Sequence, residues 1–190
     1  MKKPLSMGAD ELVLLQDDAF ENSIDSFFTA QLLAAAIRKL GGFDLIICGR
    51  QASDWDNAQV PLGVAEILGL SCISLGKKVE IKDGKVSVER ITNDGYEVVE
   101  APLPALVTVS NELGQPRYPT LRGSMAATRM HPTIWTIGDL RIDPSQLEPR
   151  VTLQSLFVPE SGQECEYIEG EDAADAGRQL ALKLREDKLI

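Results

Sequence analysis

Apolar residues fall along this chain in short runs separated by polar turns, and the period of the runs changes partway. ELVLLQ, Glu11 to Gln16, is a brief apolar run flanked by Gly8 and by Asp17-Asp18, and predicts a strand. NSIDSFFTAQLLAAAIRKLGG follows. In it Ile24, Phe27, Phe28, Leu32, Ala35 and Ala36, with Leu33, Ile37 and Leu40, sweep a wide apolar arc, as in a largely buried helix. Asn22 or Ser23 is placed to cap its start, and Gly41-Gly42 to end it in the left-handed conformation. FDLIICG, Phe43 to Gly49, is continuous rather than alternating, which predicts a central strand covered on both faces. Strand, helix and strand together imply a right-handed parallel crossover. Ala58 to Leu70 predicts a second helix, with Val60, Val64, Ile67 and Leu68 apolar and Pro61 in the first turn, where a missing amide proton costs nothing. SCISL, Ser71 to Leu75, is again extended.

From about residue 77 to 100 the period becomes two. Val79/Ile81, Val86/Val88 and Tyr96/Val98 alternate with polar residues across Asp83-Gly84 and Asn93-Asp94-Gly95, the mark of an antiparallel meander with one wet face. ALVTVS, after Pro102 and Pro104, is a further candidate for the main sheet. NELGQPRYPTLRGSMAATRM has no clean period. IWTIGDLRI and VTLQSLFV suggest short extended pieces, and SGQECEYIEGE an exposed linker. The tail turns helical from Glu171, with Ala173, Ala176 or Gly177, Leu180, Ala181 and Leu184 on one stripe, acids at its start, and Arg185 and Lys188 at its end. Such a helix is a lid on its own core or a clasp on another subunit. The expected architecture is therefore α/β, a mostly parallel sheet carrying an antiparallel meander and a C-terminal helical arm. The divisions fall at 1–158 and 159–190.

Composition narrows the chemistry. At 190 residues and 44% hydrophobic content the chain suits one globular domain with a tail. A formal charge of -10, with no run of five basic residues, argues against nucleic acid and anionic membrane surfaces. No segment approaches the length of a membrane span or a signal peptide, so a cytoplasmic, non-membrane protein is expected. Cys48 and Cys72 lie inside apolar runs and read as buried thiols, with Cys165 far away. His131 is the single histidine, which leaves little basis for a metal site or a histidine-based triad.

One polar loop stands out. GRQASDWDNAQ, Gly49 to Gln59, lies directly after FDLIIC and directly before a helix. That is where parallel sheets bind ligands, beyond strand carboxyl ends and at helix amides. Amides near Asn57 to Gln59 suit a phosphate, and carboxylates and carboxamides suit ribose hydroxyls or adenine nitrogens. Asp54 and Asp56 would repel a phosphate, so hydroxyls, a cation or N-cap duty are the expected roles. A plain solvated loop is the bland alternative.

The motifs GRQASDWDNAQV–PLGVAEILGL, MGADELVLL and LVTVSNELGQPRYPTLRGSMAAT, in that order, resemble the beta (small) subunit of electron transfer flavoproteins, and PRYPTL is the most specific of them. The resemblance implies a Rossmann-like, adenine-nucleotide-alpha-hydrolase-like fold and a larger alpha subunit holding most of the FAD contacts. It also implies an electron carrier rather than a catalyst, working with flavin dehydrogenases such as acyl-CoA dehydrogenases. It assigns Gly49, Arg50, Gln51, Ala52, Asp54, Asp56, Asn57, Ala58, Gln59 and Val60 to a loop that wraps AMP, or a second FAD in electron-bifurcating members, which DWDNAQV looks closer to. It assigns residues 109–128 to a dehydrogenase recognition loop with Pro116, Arg117, Tyr118, Leu121 and Met125 at the contact, and Leu121 as anchor.

Family members usually carry a strand, a nucleotide-contacting turn and a further strand and helix before the MGAD motif, whereas here Met1 precedes it by only a few residues. The resemblance thus implies a chain lacking that segment, with unpaired strand edges and a tendency to associate. A docking or nucleotide-binding module without electron transfer of its own is the alternative. A stress-protein-like adenine-nucleotide module is a third, but it should carry a glycine-rich phosphate loop, and none is present.

Overall fold

The computed structural model describes residues 2–20, 24–143, 147–158 and 165–190. It divides into two compact units, 1–153 and 154–190.

The first unit is built on a five-stranded sheet. Its strands are β2 (Leu45–Gly49), β3 (Ser71–Lys82), β4 (Lys85–Thr92), β5 (Gly95–Pro102) and β6 (Ala105–Val109), in the order β2-β6-β3-β4-β5. β2, β6 and β3 run parallel, and β3, β4 and β5 antiparallel. The mixed sheet and its helices make an α/β fold. The strand covered on both sides is β6, whose Ala105, Leu106 and Val107 are wholly buried. β2, expected at the centre, is an edge strand, and Ile47 on it is 54% exposed. A continuous apolar run does not say which of two similar strands lies inside; long-range pairing does.

β1 (Val13–Leu15) does not join this sheet. It pairs in parallel with β7 (Thr133–Trp135) as a separate ribbon, so the crossover expected between ELVLLQ and FDLIICG is not formed within one sheet. The parallel crossover instead runs from β2 through α3 (Val60–Leu68) to β3, with β6 between the two strands. α2 (Ser26–Leu40) serves both assemblies. Phe28, Leu32 and Ala36 pack with Leu15 and Trp135, while Ala30 and Ile37 pack with Ile46, Val64 and Leu106. Asn22 and Ser23 lie outside the described residues; the cap of α2 is Asp25, whose carboxylate accepts the Phe27 amide at 2.8 Å. Gly41, at φ 61, ends the helix.

β3 is longer than the run SCISL suggests. It continues across an irregularity between Gly76 and Lys78 into the meander, so the antiparallel strands extend the main sheet rather than decorate it. A Cβ at Gly76 would lie 2.9 Å from Val88 Cγ1, which is why this crossing strand carries glycine there. Val86 and Val88 are buried as expected, but on β5 the residues opposite them are Ala101, which is buried, and Val99, which is half-buried against the same core. Tyr96 and Val98 stand on the other face, 58% and 62% exposed, and the Lys77 ammonium sits 3.5 Å over the Tyr96 ring. In a strand, a one-residue change of register exchanges the faces.

α1 (Lys3–Ser6) packs against α4 (Leu121–Arg129), a helix in the stretch that shows no clean period. Thr120 caps α4, its hydroxyl accepting the Gly123 amide at 3.0 Å. After β7, residues expected to continue extended form α5 (Ile137–Leu140), fixed by a capping box between Thr136 and Asp139. VTLQSLFV forms no strand. Part of the SGQECEYIEGE linker, 161–164, lies outside the described residues.

The second unit contains α6 (Ala173–Glu186), capped by Asp172, whose carboxylate accepts the Asp175 amide at 2.8 Å. Arg178 and Gln179 bind the Asp175 carboxylate one turn on, at 2.6 and 2.8 Å. Leu180 and Leu182 are 45% and 56% exposed.

Candidate functional site

The loop 50–59 leaves the carboxyl end of β2 and enters α3. Its first residue is tied down, the Arg50 amide donating to Val109 O at 2.9 Å. The loop then closes on itself. The Asp56 amide donates to Ala52 O at 3.1 Å, and Gln51 Nε2 donates to Asp56 Oδ1 at 2.6 Å. Asp56 and Ala58 take positive φ values, 50 and 53, so the chain doubles back immediately before the helix. Left-handed backbone at a residue with a Cβ is uncommon, and is kept where surrounding contacts enforce it. Gln59 occupies the N-cap of α3 without a side-chain cap bond, and Pro61 sits in the first turn.

These turns shape a cleft of about 550 Å³ whose walls come from the end of β2, the loop, and the starts of α3 and α2. The loop and α3 contribute Arg50, Gln51, Ala52, Trp55, Asn57, Ala58, Gln59, Val60 and Pro61. α2 contributes Ser26, Thr29 and Leu33, Ile24 comes from just before its cap, and β2 contributes Cys48 and Gly49. Asn57 Nδ2 reaches Ser26 Oγ at 3.5 Å, across the two walls. Eight of the residues assigned from the sequence line the cleft together with Val60's neighbour Pro61; Asp54 and Asp56 do not line it. Nor does either aspartate cap α3. Asp54 accepts the Trp55 amide at 2.9 Å and Asp56 accepts Gln51, so both shape the loop.

Sequence reasoning missed Trp55, Ile24 and Leu33, which are 48%, 38% and 38% exposed and give the cleft an apolar wall. Trp55 carried a signal, an aromatic residue within an otherwise polar loop. Ile24 and Leu33 carried none beyond lying on the wide apolar arc of the helix.

Arg50 is the one charged residue among the described residues of the lining. Burial pushes the Cys48 thiol up from its ordinary value, and the nearby Cys72 raises it further, so Cys48 is a protonated, apolar part of the wall. The cleft therefore offers a flat apolar surface, the carboxamides of Gln51, Asn57 and Gln59, the first amides of a helix, and one guanidinium. It is suited to holding a planar heteroaromatic ring with polar edges and an attached anion, rather than to activating a nucleophile.

A wider cleft, about 680 Å³, lies between α2 and α5. The Lys39 ammonium on its wall is already held by Asp139 O at 2.7 Å and lies 4.4 Å from the centroid of the Trp135 ring, and no residue assigned from the sequence contributes to this cleft.

The other assigned residues meet on α4 and the coil before it. Tyr118 is 88% exposed, Leu121 80% and Met125 56%. Leu121, Met125 and Ala126 line a shallow groove of about 350 Å³ edged by Arg122 and Arg129. Pro116 and Arg117 are exposed on the preceding coil. The underside of α4 is fixed: Ala127 is buried, and Lys2 Nζ donates to Thr128 O at 3.1 Å.

Among the described residues no group of histidine, cysteine, aspartate or glutamate is arranged to hold a metal ion, and no helix is long and apolar enough to cross a membrane.

Comparison with known proteins places this geometry in context. Residues 1–137 match the model of the electron transfer flavoprotein domain. A caffeyl-CoA reductase-Etf complex subunit, CarD, of Acetobacterium woodii is 37% identical over an alignment of 194 positions, covering 100% of this chain and 73% of that protein. The electron transfer flavoprotein subunit beta of Thermoanaerobacterium thermosaccharolyticum is 42% identical over 148 positions, covering 77% of this chain and 56% of that subunit. The subunit of the same name from Mycobacterium tuberculosis is 36% identical over 147 positions, covering 77% and 55%. The chain thus spans little more than half the length of two of these relatives.

Proposed function

The chain belongs to the electron transfer flavoprotein beta-subunit family, and from that premise we propose that it is the small subunit of an electron carrier assembled with an alpha subunit. In this reading unit 1–153 is a Rossmann-like nucleotide-binding domain. Its loop holds AMP, or the adenosine part of a second FAD, and α4 docks on flavin dehydrogenases. The arm that carries α6 binds the alpha subunit.

The observation that carries the proposal is the cleft between loop 50–59 and the start of α2. Its chemistry fits the adenosine portion of either nucleotide. Trp55, Ile24 and Leu33 provide a face for a ring, and Gln51 and Asn57 provide paired donors and acceptors for its edge. The first amides of α3, uncapped by Gln59, and the Arg50 guanidinium favour a phosphate. A bound flavin would supply the electron-transfer chemistry itself. This chain's residues contribute binding, exclusion of water from the ring face and orientation.

Between the two occupants, the likeness of DWDNAQV to electron-bifurcating members favours a second FAD, whereas the size of the cleft favours AMP. The cleft volume of about 550 Å³ lies within the range of ordinary small-molecule sites and suits a mononucleotide. The isoalloxazine of a second FAD would extend beyond the described walls. AMP is therefore the preferred occupant of this chain's own cleft.

The test is to co-express the chain with an alpha subunit from the same family, denature the purified complex and separate the released nucleotides. Recovery of one AMP per complex alongside one FAD is expected. Two FAD and no AMP would replace the preferred occupant, and no adenine nucleotide at all would overturn the assignment of the cleft.

A further inference from the structure

We propose that the cleft between α2 and α5 is a second small-molecule site, and that it takes a phosphate monoester with a compact apolar body. Its volume of about 680 Å³ is far more than a bare phosphate fills, and lies in the range of small-molecule sites. Arg38 and Lys39 line it from α2, and Asp139 and Arg141 from α5 and its end; Ala35, Leu140 and Ile142 supply an apolar lining. None of these residues lines the nucleotide cleft. At about 100° per residue, Ser26, Thr29 and Leu33 leave one side of α2, and Ala35, Arg38 and Lys39 leave the opposite side. One helix thus carries two clefts back to back.

The charge of this lining runs against that of the chain. Three cations stand with one carboxylate, in a protein of formal charge -10. That carboxylate is engaged elsewhere. Asp139 Oδ2 accepts the Thr136 amide at 2.9 Å and the Thr136 hydroxyl at 2.8 Å, which fixes the start of α5, while its other oxygen lies 3.9 Å from Lys39 Nζ. The carbonyl end of α2 adds about half a negative charge, so the cleft keeps an excess of about one and a half positive charges. A phosphate monoester, close to a dianion at neutral pH, matches that excess.

The fold accounts for two of the three cations. Arg38 donates to Ile67 O and ties α2 to α3, and Lys39 donates to Asp139 O at 2.7 Å beside the Trp135 ring. Both keep further donors, since a guanidinium has five N–H groups and an ammonium three. Arg141 is different. Among the described residues its side chain has no ion pair and no hydrogen bond. It also ends α5 at φ 52, a left-handed position that glycine usually fills. An arginine kept there, with no partner inside the fold, is free to meet an anion. The forks of Arg38 and Arg141 suit phosphate oxygens, and the apolar lining calls for an organic body behind the phosphate.

The test uses the whole chain with Trp55→Phe, which leaves Trp135, next to Lys39, as its single tryptophan. Phenyl phosphate is titrated at fixed ionic strength and followed by Trp135 emission and by calorimetry. Saturable binding to one site is expected, with inorganic phosphate at least about tenfold weaker because it leaves the apolar lining unused. Arg141→Gln should weaken phenyl phosphate about tenfold or more, through loss of a charge-assisted contact, with the thermal midpoint unchanged. Arg141→Lys should keep part of the affinity. Absence of saturable heat would overturn the site, as would binding that leaves Trp135 emission unmoved or that Arg141→Gln does not weaken. Equal affinity for inorganic phosphate would overturn the organic ligand.

Discussion

The carboxylate of Asp25 accepts the backbone amide of Arg150, 125 residues along the chain, and with its other oxygen caps the α2 helix through Phe27. The same carboxylate also accepts the Val151 amide at 3.3 Å, and the Arg150 guanidinium lies 3.8 Å over the Phe27 ring. Asp25 is only 3% exposed. One side chain thus fixes the start of the helix that forms one wall of the cleft and pins the end of the first unit to it. Replacing it with alanine removes the cap and leaves the part-buried amides of Phe27, Arg150 and Val151 without this acceptor. Asp25→Ala should lose about 2 kcal/mol or more of stability, read as a lower urea midpoint at unchanged slope.

The protonation of the same group predicts a pH dependence. Burial pushes the Asp25 carboxyl up, but the amides of Arg150, Phe27, Val151 and Phe28 outweigh it and hold its pKa below the ordinary value. A depressed folded-state pKa stabilises the fold above the unfolded value, about 4, and that contribution drains away as pH falls through the folded value. The stability gap between the unsubstituted chain and Asp25→Asn should therefore be constant above about pH 5 and shrink below about pH 4. Equilibrium urea unfolding at a series of pH values checks this; a gap that widened on acidification would reverse the sign.

Trp55 gives the cleft an optical reporter. It is one of two tryptophans, and the other, Trp135, packs in the α2–α5 core. A purine stacked on the Trp55 ring should quench its fluorescence. Titration of AMP into nucleotide-stripped complex is expected to lower the emission in the parent protein and leave it unchanged in Trp55→Phe. Equal quenching in both would move the nucleotide away from this wall.

Gly63 sets the spacing of the two helices that flank the cleft. A Cβ there would lie 2.9 Å from Ala30 Cβ, and Ala30 is 1% exposed, so neither helix has room to give. Gly63→Ala gains about 1 kcal/mol of helix propensity, which opposes the clash; Gly63→Val has no such gain. Gly63→Val should lose about 1–3 kcal/mol and weaken adenine-nucleotide binding by separating Ser26 and Thr29 from Val60. Thermal melts with and without AMP measure both effects.

What the sequence revealed follows the range of the interactions involved. The buried run ALVTV, the two-residue turn at Asp83-Gly84 and the presence of a helix in the tail are local, and the structure has each where the pattern puts it, although α6 starts two residues after Glu171 and ends before Lys188. The edge position of β2 is not local. FDLIICG and ALVTV look alike, and only the pairing of β6 with both β2 and β3 decides which is central. The face of β5 depends on register, so Val99 and Ala101 rather than Tyr96 and Val98 are inside. α4 was hidden because a nine-residue helix that buries only Ala127 has little apolar period to display, although Thr120 was a readable cap. In the cleft, loop residues adjacent in sequence were found together, whereas Ile24 and Leu33 required knowing that α2 folds against α3.

The docking helix depends on a contact that its own sequence does not advertise. Gly123, in the first turn of α4, faces α1, and a Cβ there would lie 2.5 Å from Ser6 O. That oxygen is backbone, so a side chain at 123 cannot be accommodated by a rotamer change; α1 or α4 must move. Leu5 on α1 and Ala127 on α4 are both buried, and Lys2 holds the far end of α4 through Thr128 O. Moving α4 also disturbs the Gly123 amide that Thr120 caps. Gly123→Val should therefore leave the five-stranded sheet folded but free the helix from its support. Hydrogen exchange is expected to speed up in residues 3–6 and 121–129 and remain slow in β3, β4 and β6. If α4 is the docking helix, the same variant should bind dehydrogenase at least about tenfold more weakly although Leu121 and every arginine are intact, because the anchor is no longer presented by a rigid element. Unchanged exchange in both helices would show that the α1–α4 contact does not position α4.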